Sequence, residues 1–446
     1  MTIRKHLLII LALSLSFSGV RAGGILTNTN SSAFFHRMMA RGASLDIDGV
    51  HTNPAGLAWT LKDGFHLATS YQYVYQKRDM DASFQTYPSG QMDKTYKGRT
   101  IAPYVPSVYA VWKQKDWAFS AMFYIPGGGG KAVFDEGVPS FESAALAKIY
   151  QTSQRQITSD KVDLSTYMEG GQYVFGLQLG ATHRFSEHFS AFVGIRASYY
   201  TGNVTGQMTA DLSESYSALG QALGLKDKRL FRLAVDCDQT AFGLNPVLGA
   251  NLKFGDFLIA AKYEFKTKYS LKNKTHENTD PDGALAAYKD GAKSRNDMPA
   301  MASLNVGYAF NTWLRAQAGF NYYFDKDCKM AEDHQKLLSH NASEVLLGVE
   351  ADLSKRLLLS AGVQFTDFGL TDSFQSDTSF YSDSYTVGLG GAYRITDRLR
   401  VNAGAFLTIY QQYRDDTENF AGTGLPSFVN YKRNTKSFAI TLDYSF

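Results

Sequence analysis

Leu399-Arg-Val-Asn-Ala-Gly-Ala-Phe-Leu-Thr-Ile-Tyr410 is the stretch whose reading decides the fold. Its odd positions are Leu, Val, Ala, Ala, Leu and Ile. Its even positions include Arg400, Asn402 and Thr408. A period of two puts these sets on opposite faces of a strand. The same reading holds for Trp313 to Tyr322, where Leu314, Ala316, Ala318, Phe320 and Tyr322 oppose Arg315, Gln317, Gly319 and Asn321. In the last segment Phe438, Ile440, Leu442, Tyr444 and Phe446 oppose Ala439, Thr441 and Asp443.

Working outward, such segments recur along the chain. Gly64–Tyr75 is followed by a polar stretch, Lys77 to Gly98, read as a loop. Paired segments then come with tight connections: Lys113–Asp116, Ser186–His188, Gly255-Asp256, Asn311-Thr312, Ser354–Arg356 and Thr396–Arg398. Between the pairs lie long polar loops. About fourteen antiparallel strands result, with connections sorted into two length classes. That is the signature of an all-β transmembrane barrel with short periplasmic turns and long outer loops. Arginine facing lipid at the midplane costs ~2–4 kcal/mol, so the polar face is the lumen. In lipid every backbone group must pair, which requires the sheet to close.

Composition agrees. The chain has 27 Tyr, 30 Phe and 39 Gly but only 10 Pro, a mixture suited to strands with aromatic girdles. Residues 1–22 read as a signal peptide: Arg4 and Lys5, an apolar core from Leu7 to Phe17, and Val20-Arg21-Ala22 before the cleavage point. The apolar run is too short for a membrane-spanning helix of ~20 residues. Without Arg4, Lys5 and Arg21 the 45 basic residues become equal to the 42 acidic ones. A neutral mature chain gives no argument for nucleic acid as a partner. Cys237 and Cys328 fall in stretches read as loops, and export leaves a disulfide between them open.

Two stretches depart from the alternation. Arg41-Gly-Ala-Ser-Leu-Asp-Ile-Asp-Gly-Val-His-Thr-Asn-Pro-Ala-Gly-Leu-Ala58 gathers Gly42, Gly49 and Gly56 around Asn53-Pro54. It reads as turns, either a leader loop or a plug folded into the barrel. Its Asp46 and Asp48 are expected partners for lumenal arginines such as Arg315 and Arg400. Phe123-Tyr-Ile-Pro-Gly-Gly-Gly-Gly130 holds Pro126, Gly127, Gly128, Gly129 and Gly130, which pair poorly in a ladder. It is either the start of a loop or a kink that opens the wall. Two outer-loop stretches have helical spacing: Ser140–Thr152 through Phe141, Leu146 and Ile149, and Asp211–Leu225 through Leu212, Tyr216, Leu219 and Leu223. Each stripe is either packing or the lining of a groove for an apolar ligand.

On these residues the chain resembles the FadL/TodX group of outer-membrane transporters for long-chain fatty acids and aromatic hydrocarbons. Arg41-Gly42-Ala43, Asp46, Asp48 and Asn53-Pro54-Ala55-Gly56-Leu57-Ala58 match the N-terminal hatch of that family. Ile101-Ala-Pro-Tyr-Val-Pro106 is similar to its second strand, and the loop Ala210–Leu225 with Ala241-Phe-Gly-Leu-Asn-Pro246 to its region around strands five and six. The resemblance implies a hatch over residues 23–62 inside a barrel over 63–446. It implies apolar ligands caught by outer loops, passed to a lumenal pocket and released sideways at a kinked third strand. It also implies ligand contact by the first mature residues, here Gly23-Gly24-Ile25-Leu26. The basic residues that meet a carboxylate head group in fatty-acid members have no match here. Outer-membrane lipids and lipopolysaccharide are the expected surroundings, barrel-assembly machinery the expected reader of the strand ending at Phe446, and a monomer the expected state.

Other motifs carry little chemistry. Gly388-Leu-Gly390-Gly391 lies in a strand with no helix after it, unlike a phosphate loop. Asp280-Pro-Asp282-Gly283 lacks the downstream acidic ligand of a calcium loop. No cofactor, metal site or catalytic set is expected. A hydrophilic porin, a surface adhesin and an outer-membrane lipase are the rival readings.

Overall fold

The computed structural model describes residues 32–446 apart from 214–217, 219 and 221–227. Ile25, Leu26, Tyr216, Leu219 and the signal peptide lie outside the described residues. Seventeen hydrogen-bonded segments form one sheet. They are β1 Gly64–Gln85, β2 Gln91–Gln114, β3 Trp117–Phe134, β4 Val162–Arg184, β5 Phe189–Leu212, β6 Arg229–Phe254, β7 Phe257–Glu264, β8 Ser270–Asn278, β9 Lys293–Arg295, β10 Met301–Ala309, β11 Leu314–Tyr323, β12 Ser343–Asp352, β13 Leu357–Asp367, β14 Ser384–Arg394, β15 Leu399–Tyr410, β16 Tyr413–Thr417 and β17 Ser427–Ser445. β7 with β8, β9 with β10, and β15 with β16 each run along one wall position, which leaves fourteen. β1 pairs antiparallel with both β2 and β17, from His66↔Ser445 to Phe84↔Ser427, and so closes the barrel.

The faces follow the alternation. Leu304, Val345, Leu347, Leu389, Ile409, Phe438 and Leu442 are exposed, whereas Gln178, Asn251, Gln364, Asn402 and Thr441 are buried inside. Trp112, Trp117, Phe185, Phe254, Phe310 and Trp313 flank the short turns and form an aromatic girdle on that rim.

Three expectations change. Lys77–Gly98 is not a loop: β1 and β2 run through it and turn only at residues 86–90. Met80, Ala82 and Phe84 alternate there with polar residues and pack with Tyr96, Phe134, Leu146 and Phe380. At ~3.3 Å per residue, the 26 residues of β6 far exceed the apolar band. The tall strands β1–β6 therefore project beyond the membrane. The glycine run after Phe123 is not the start of a loop either, since β3 continues to Phe134. Cys237 lies in β6 rather than a loop, and both cysteines are buried free thiols.

The hatch fills the lumen. Helices Ala33–Arg37, Gly49–Thr52 and Leu57–Thr60 are linked by turns and a 3-10 turn at Pro54–Gly56. Each is too short to hold itself. Phe34, Ile47, Val50 and Leu57 bury against Ala68, Tyr109, Val111 and Met122 of the wall. Wall side chains supply the missing backbone partners. Gln178 Nε2 donates to Val50 O at 2.9 Å, Thr182 Oγ1 to Pro54 O at 2.7 Å and Ser190 Oγ to Ala55 O at 2.6 Å. A Cβ on Gly42 would lie 2.0 Å from the Asn305 side chain, so the hatch backbone touches the wall there.

Candidate functional site: a lumenal cavity between hatch and third strand

Arg41, Gly42, Asp46, Asp48, Asn53, Pro54, Ala55 and Gly56 are gathered in one compact body. Its centre is the Arg41 guanidinium, fully buried. Nε and Nη2 grip the two oxygens of Asp48 at 2.9 and 2.8 Å, and Nη1 reaches Glu350 Oε1 at 2.9 Å. This bidentate geometry suits arginine and not lysine. Asn53 Nδ2 holds the loop by donating to Ser44 O at 3.0 Å. Asp46 reaches the wall at Arg400 Nη2, 2.9 Å away, and Arg400 also pairs with Asp443 at 2.7 Å. Asp48 does not reach the wall; it stays on Arg41. Arg315 takes Glu350 at 2.8 Å and Asp352 at 2.7 Å instead.

Sequence reasoning missed Arg37 and Glu350. Glu350 accepts from Arg37, Arg41 and Arg315 together, and so ties the hatch to β12. The signal present was a glutamate on the polar face of a strand. Two of its three partners, Arg37 and Arg41, lie more than three hundred residues away in the hatch, which no spacing reveals.

The run Pro126–Gly130 sits in a seam. β2 and β3 pair from Gly98↔Phe134 to Ile101↔Lys131 and again from Val108↔Phe123. Between these, Ala102–Ser107 and Tyr124–Gly130 do not pair with each other. The cause is chemical: Pro103, Pro106 and Pro126 have no N–H to donate. Gly128 has φ +73, and a Cβ there would lie 2.2 Å from Gln172 O. On its other edge β3 still pairs with β4, through register shifts at Tyr124/Gly127 and Gly128/Gly130. Ala102, Val105 and Ile125 fill the seam, with Val74, Tyr173 and Phe175 around them. Three prolines on neighbouring strands were the readable sign; β2's two only gain meaning once their level against Pro126 is known.

A cavity of about 100 Å3 lies inside this seam. Phe35, Met39, Gly42 and His51 bound it from the hatch, and Tyr124 and Pro126 from β3. Arg196 of β5, Lys262 and Glu264 of β7, Met298 just before β10, Met301 at its start, and Glu344 of β12 also line it. Arg196 Nη1 pairs with Glu264 Oε2 at 2.7 Å, and Lys262 Nζ with Glu264 Oε1 at 2.8 Å. Lys262 Nζ also donates to His51 O at 2.8 Å. Burial pushes the His51 imidazole down to about 3, and Lys262 beside it adds to the shift, so the ring is neutral.

The outer-loop candidates sit elsewhere. Leu212, expected on a helical stripe of an outer loop, is instead the last residue of strand β5, and it is buried with Ile149, Met208, Ala210 and Phe231 beneath the helix Pro139–Thr152. Leu146 of that helix packs into the cluster of Met80 and Phe134. A narrow apolar cleft beside Phe141 is lined by Met168, Met208, Leu233 and Leu285.

The outer membrane protein beta-barrel domain family matches residues 278–446. No curated protein matches the chain by sequence. Among solved structures, the chain is similar to a Pseudomonas aeruginosa FadL homologue, at 16% identity over 95% of this chain and 100% of that one, with a TM-score of 0.67. It is similar to the P. putida toluene transporter TodX, at 14% identity over 90% and 94%, TM-score 0.57. It is also similar to the Ralstonia pickettii toluene transporter TbuX, at 15% identity over 90% and 94%, TM-score 0.51. At these identities the likeness speaks for the fold. The chain is a β-barrel closed by fourteen antiparallel strands around an N-terminal helical segment, with the fold of the FadL and TodX barrels, and its residues 278–446 match the outer membrane protein beta-barrel domain family.

Proposed function

We propose that the protein is a passive transporter of hydrophobic small molecules. Ligand is captured among the outer loops, held in the lumenal cavity above the hatch, and released sideways into the bilayer at β3. The observation that carries this reading is the position of the cavity. It is bounded on one side by the hatch and on another by Tyr124 and Pro126, at the level where β2 and β3 stop pairing. Polar sugars of the outer leaflet exclude apolar solutes, and a water-filled pore does not favour them. Burial at ~25 cal/mol per Å2 favours capture, and a lateral exit avoids a return to water. The solved barrels named as toluene transporters share this fold. The hatch occupies the space an open hydrophilic porin needs for conduction, which disfavours that reading.

Restoring backbone donors tests the exit. The triple variant Pro103→Val, Pro106→Val, Pro126→Val gives the seam back three N–H groups. Uptake of an apolar fluorescent reporter into cells is expected to fall several-fold, with heat-modifiable migration on gels unchanged. Normal uptake in a folded variant would remove the lateral route.

A further inference from the structure

The cavity is not a plain apolar pocket. Tyr124 is fully buried, lines the cavity beside Pro126, and its hydroxyl has no hydrogen-bond partner. His51 Nδ1, from the hatch, is also buried without a partner, and the two rings lie 5.0 Å apart. A buried polar atom left unpaired costs ~1–3 kcal/mol. Phenylalanine would fill the same space without that cost. Arg196 Nε is a third buried atom without a partner, and its guanidinium lies 5.2 Å from the centre of the Tyr124 ring; unsatisfied polar atoms on three elements lining one cavity point to a ligand atom that completes them.

The charges narrow its nature. Each cation bounding the cavity already has a carboxylate: Arg196 and Lys262 share Glu264 at 2.7 and 2.8 Å, and Arg41 holds Asp48 at 2.8 Å. An arriving carboxylate would lose its water and face Glu264 with no uncommitted cation among these residues. A pure hydrocarbon would leave Tyr124 and His51 as they are. Building on the transport reading, we propose that the cavity selects amphiphiles with an uncharged oxygen head group, a hydroxyl or carbonyl. The head-group oxygen is held by the Tyr124 hydroxyl and His51, and the chain lies against Phe35, Met39 and Met298.

A chain-matched series tests this: 1-dodecanol, dodecane and ionised dodecanoate at pH 8. Each displaces a bound apolar fluorophore from the purified full-length protein in detergent. Dodecanol is expected to act at ~10-fold lower concentration than either of the others, the worth of about one hydrogen bond. Tyr124→Phe should abolish that preference and raise the thermal stability of the ligand-free protein, because it removes a buried hydroxyl that has no protein partner. Preference for dodecanoate, equal displacement by all three, or a dodecanol preference that survives Tyr124→Phe would each overturn the proposal while leaving transport standing. Displacement by none of the three from folded protein would overturn the transport reading as well.

Discussion

Asp325 shows how one side chain can set a local pH dependence. It opens a 3-10 turn, Asp325–Asp327, in the outer loop between β11 and β12, and is fully buried. Its Oδ2 accepts from Ala342 N at 3.2 Å. Burial pushes its carboxyl up to about 6, only partly offset by that backbone donor. Between the ordinary carboxyl range and about 6, the folded loop holds a proton that the unfolded chain has released. Stability of the loop therefore falls as pH rises through this window and stays lower above it. Asp325→Asn removes the dependence. Amide exchange in residues 323–342 is expected to be slower in the variant than in the parent at pH 7.5, by on the order of 2 kcal/mol relative to the difference at pH 4. An equal difference at both pH values would contradict the assignment.

At the level of the element, the hatch behaves as a small domain whose core is partly borrowed from the wall. Its Arg41–Asp48 pair is internal, whereas Glu350 and Arg400 belong to strands. Glu350 is 3% exposed and compensates three guanidinium groups. Removing one partner from a buried ion network costs ~3–5 kcal/mol, because the charges left behind stay desolvated. Glu350→Gln is expected to loosen the hatch by about that much without opening the strand pairing. Protease should then cut residues 32–61 in the folded barrel, and resistance equal to the parent would show that the tie to β12 is dispensable. The hatch motif could be read from Arg41, Asn53 and Pro54, since glycines and an Asn-Pro turn have a local signature. The tie could not, because Glu350 looks like any other lumenal residue until the barrel closes.

For the molecule as a whole, closure decides what the hatch can do. β1 meets β17 along nineteen register pairs, so the wall has no free edge and anything inside is enclosed. A second break in pairing lies between β6 and β7–β8, where Ala241–Pro246 face residues 265–271 and a backbone bond remains from Phe265 N to Pro246 O at 3.1 Å. Here side chains replace the ladder: Ser198 bonds Tyr269 at 2.6 Å, and Thr267 bonds Asn245 at 2.9 Å. The seam at β3 is filled by apolar side chains instead. Deleting residues 23–60 is expected to turn a weakly conducting protein into a steady pore in planar bilayers. Unchanged conductance would mean that the hatch does not close the lumen.

The sequence by itself determined the barrel, its polar lumen and the irregular hatch. Period-two alternation and the Asn53-Pro54 turn are local properties, legible a few residues at a time. It also located Pro126–Gly130 as a departure from strand geometry. It misread Lys77–Gly98, because a strand above the membrane has polar residues on its solvent face and too few apolar ones to stand out. Only the tertiary structure decided which strands are tall and which residues meet across the lumen. The placing of Tyr124, His51, Arg196, Lys262 and Glu264 around one cavity depends on register between strands far apart in the chain. Register is fixed by closure, and closure is a property of all fourteen strands together.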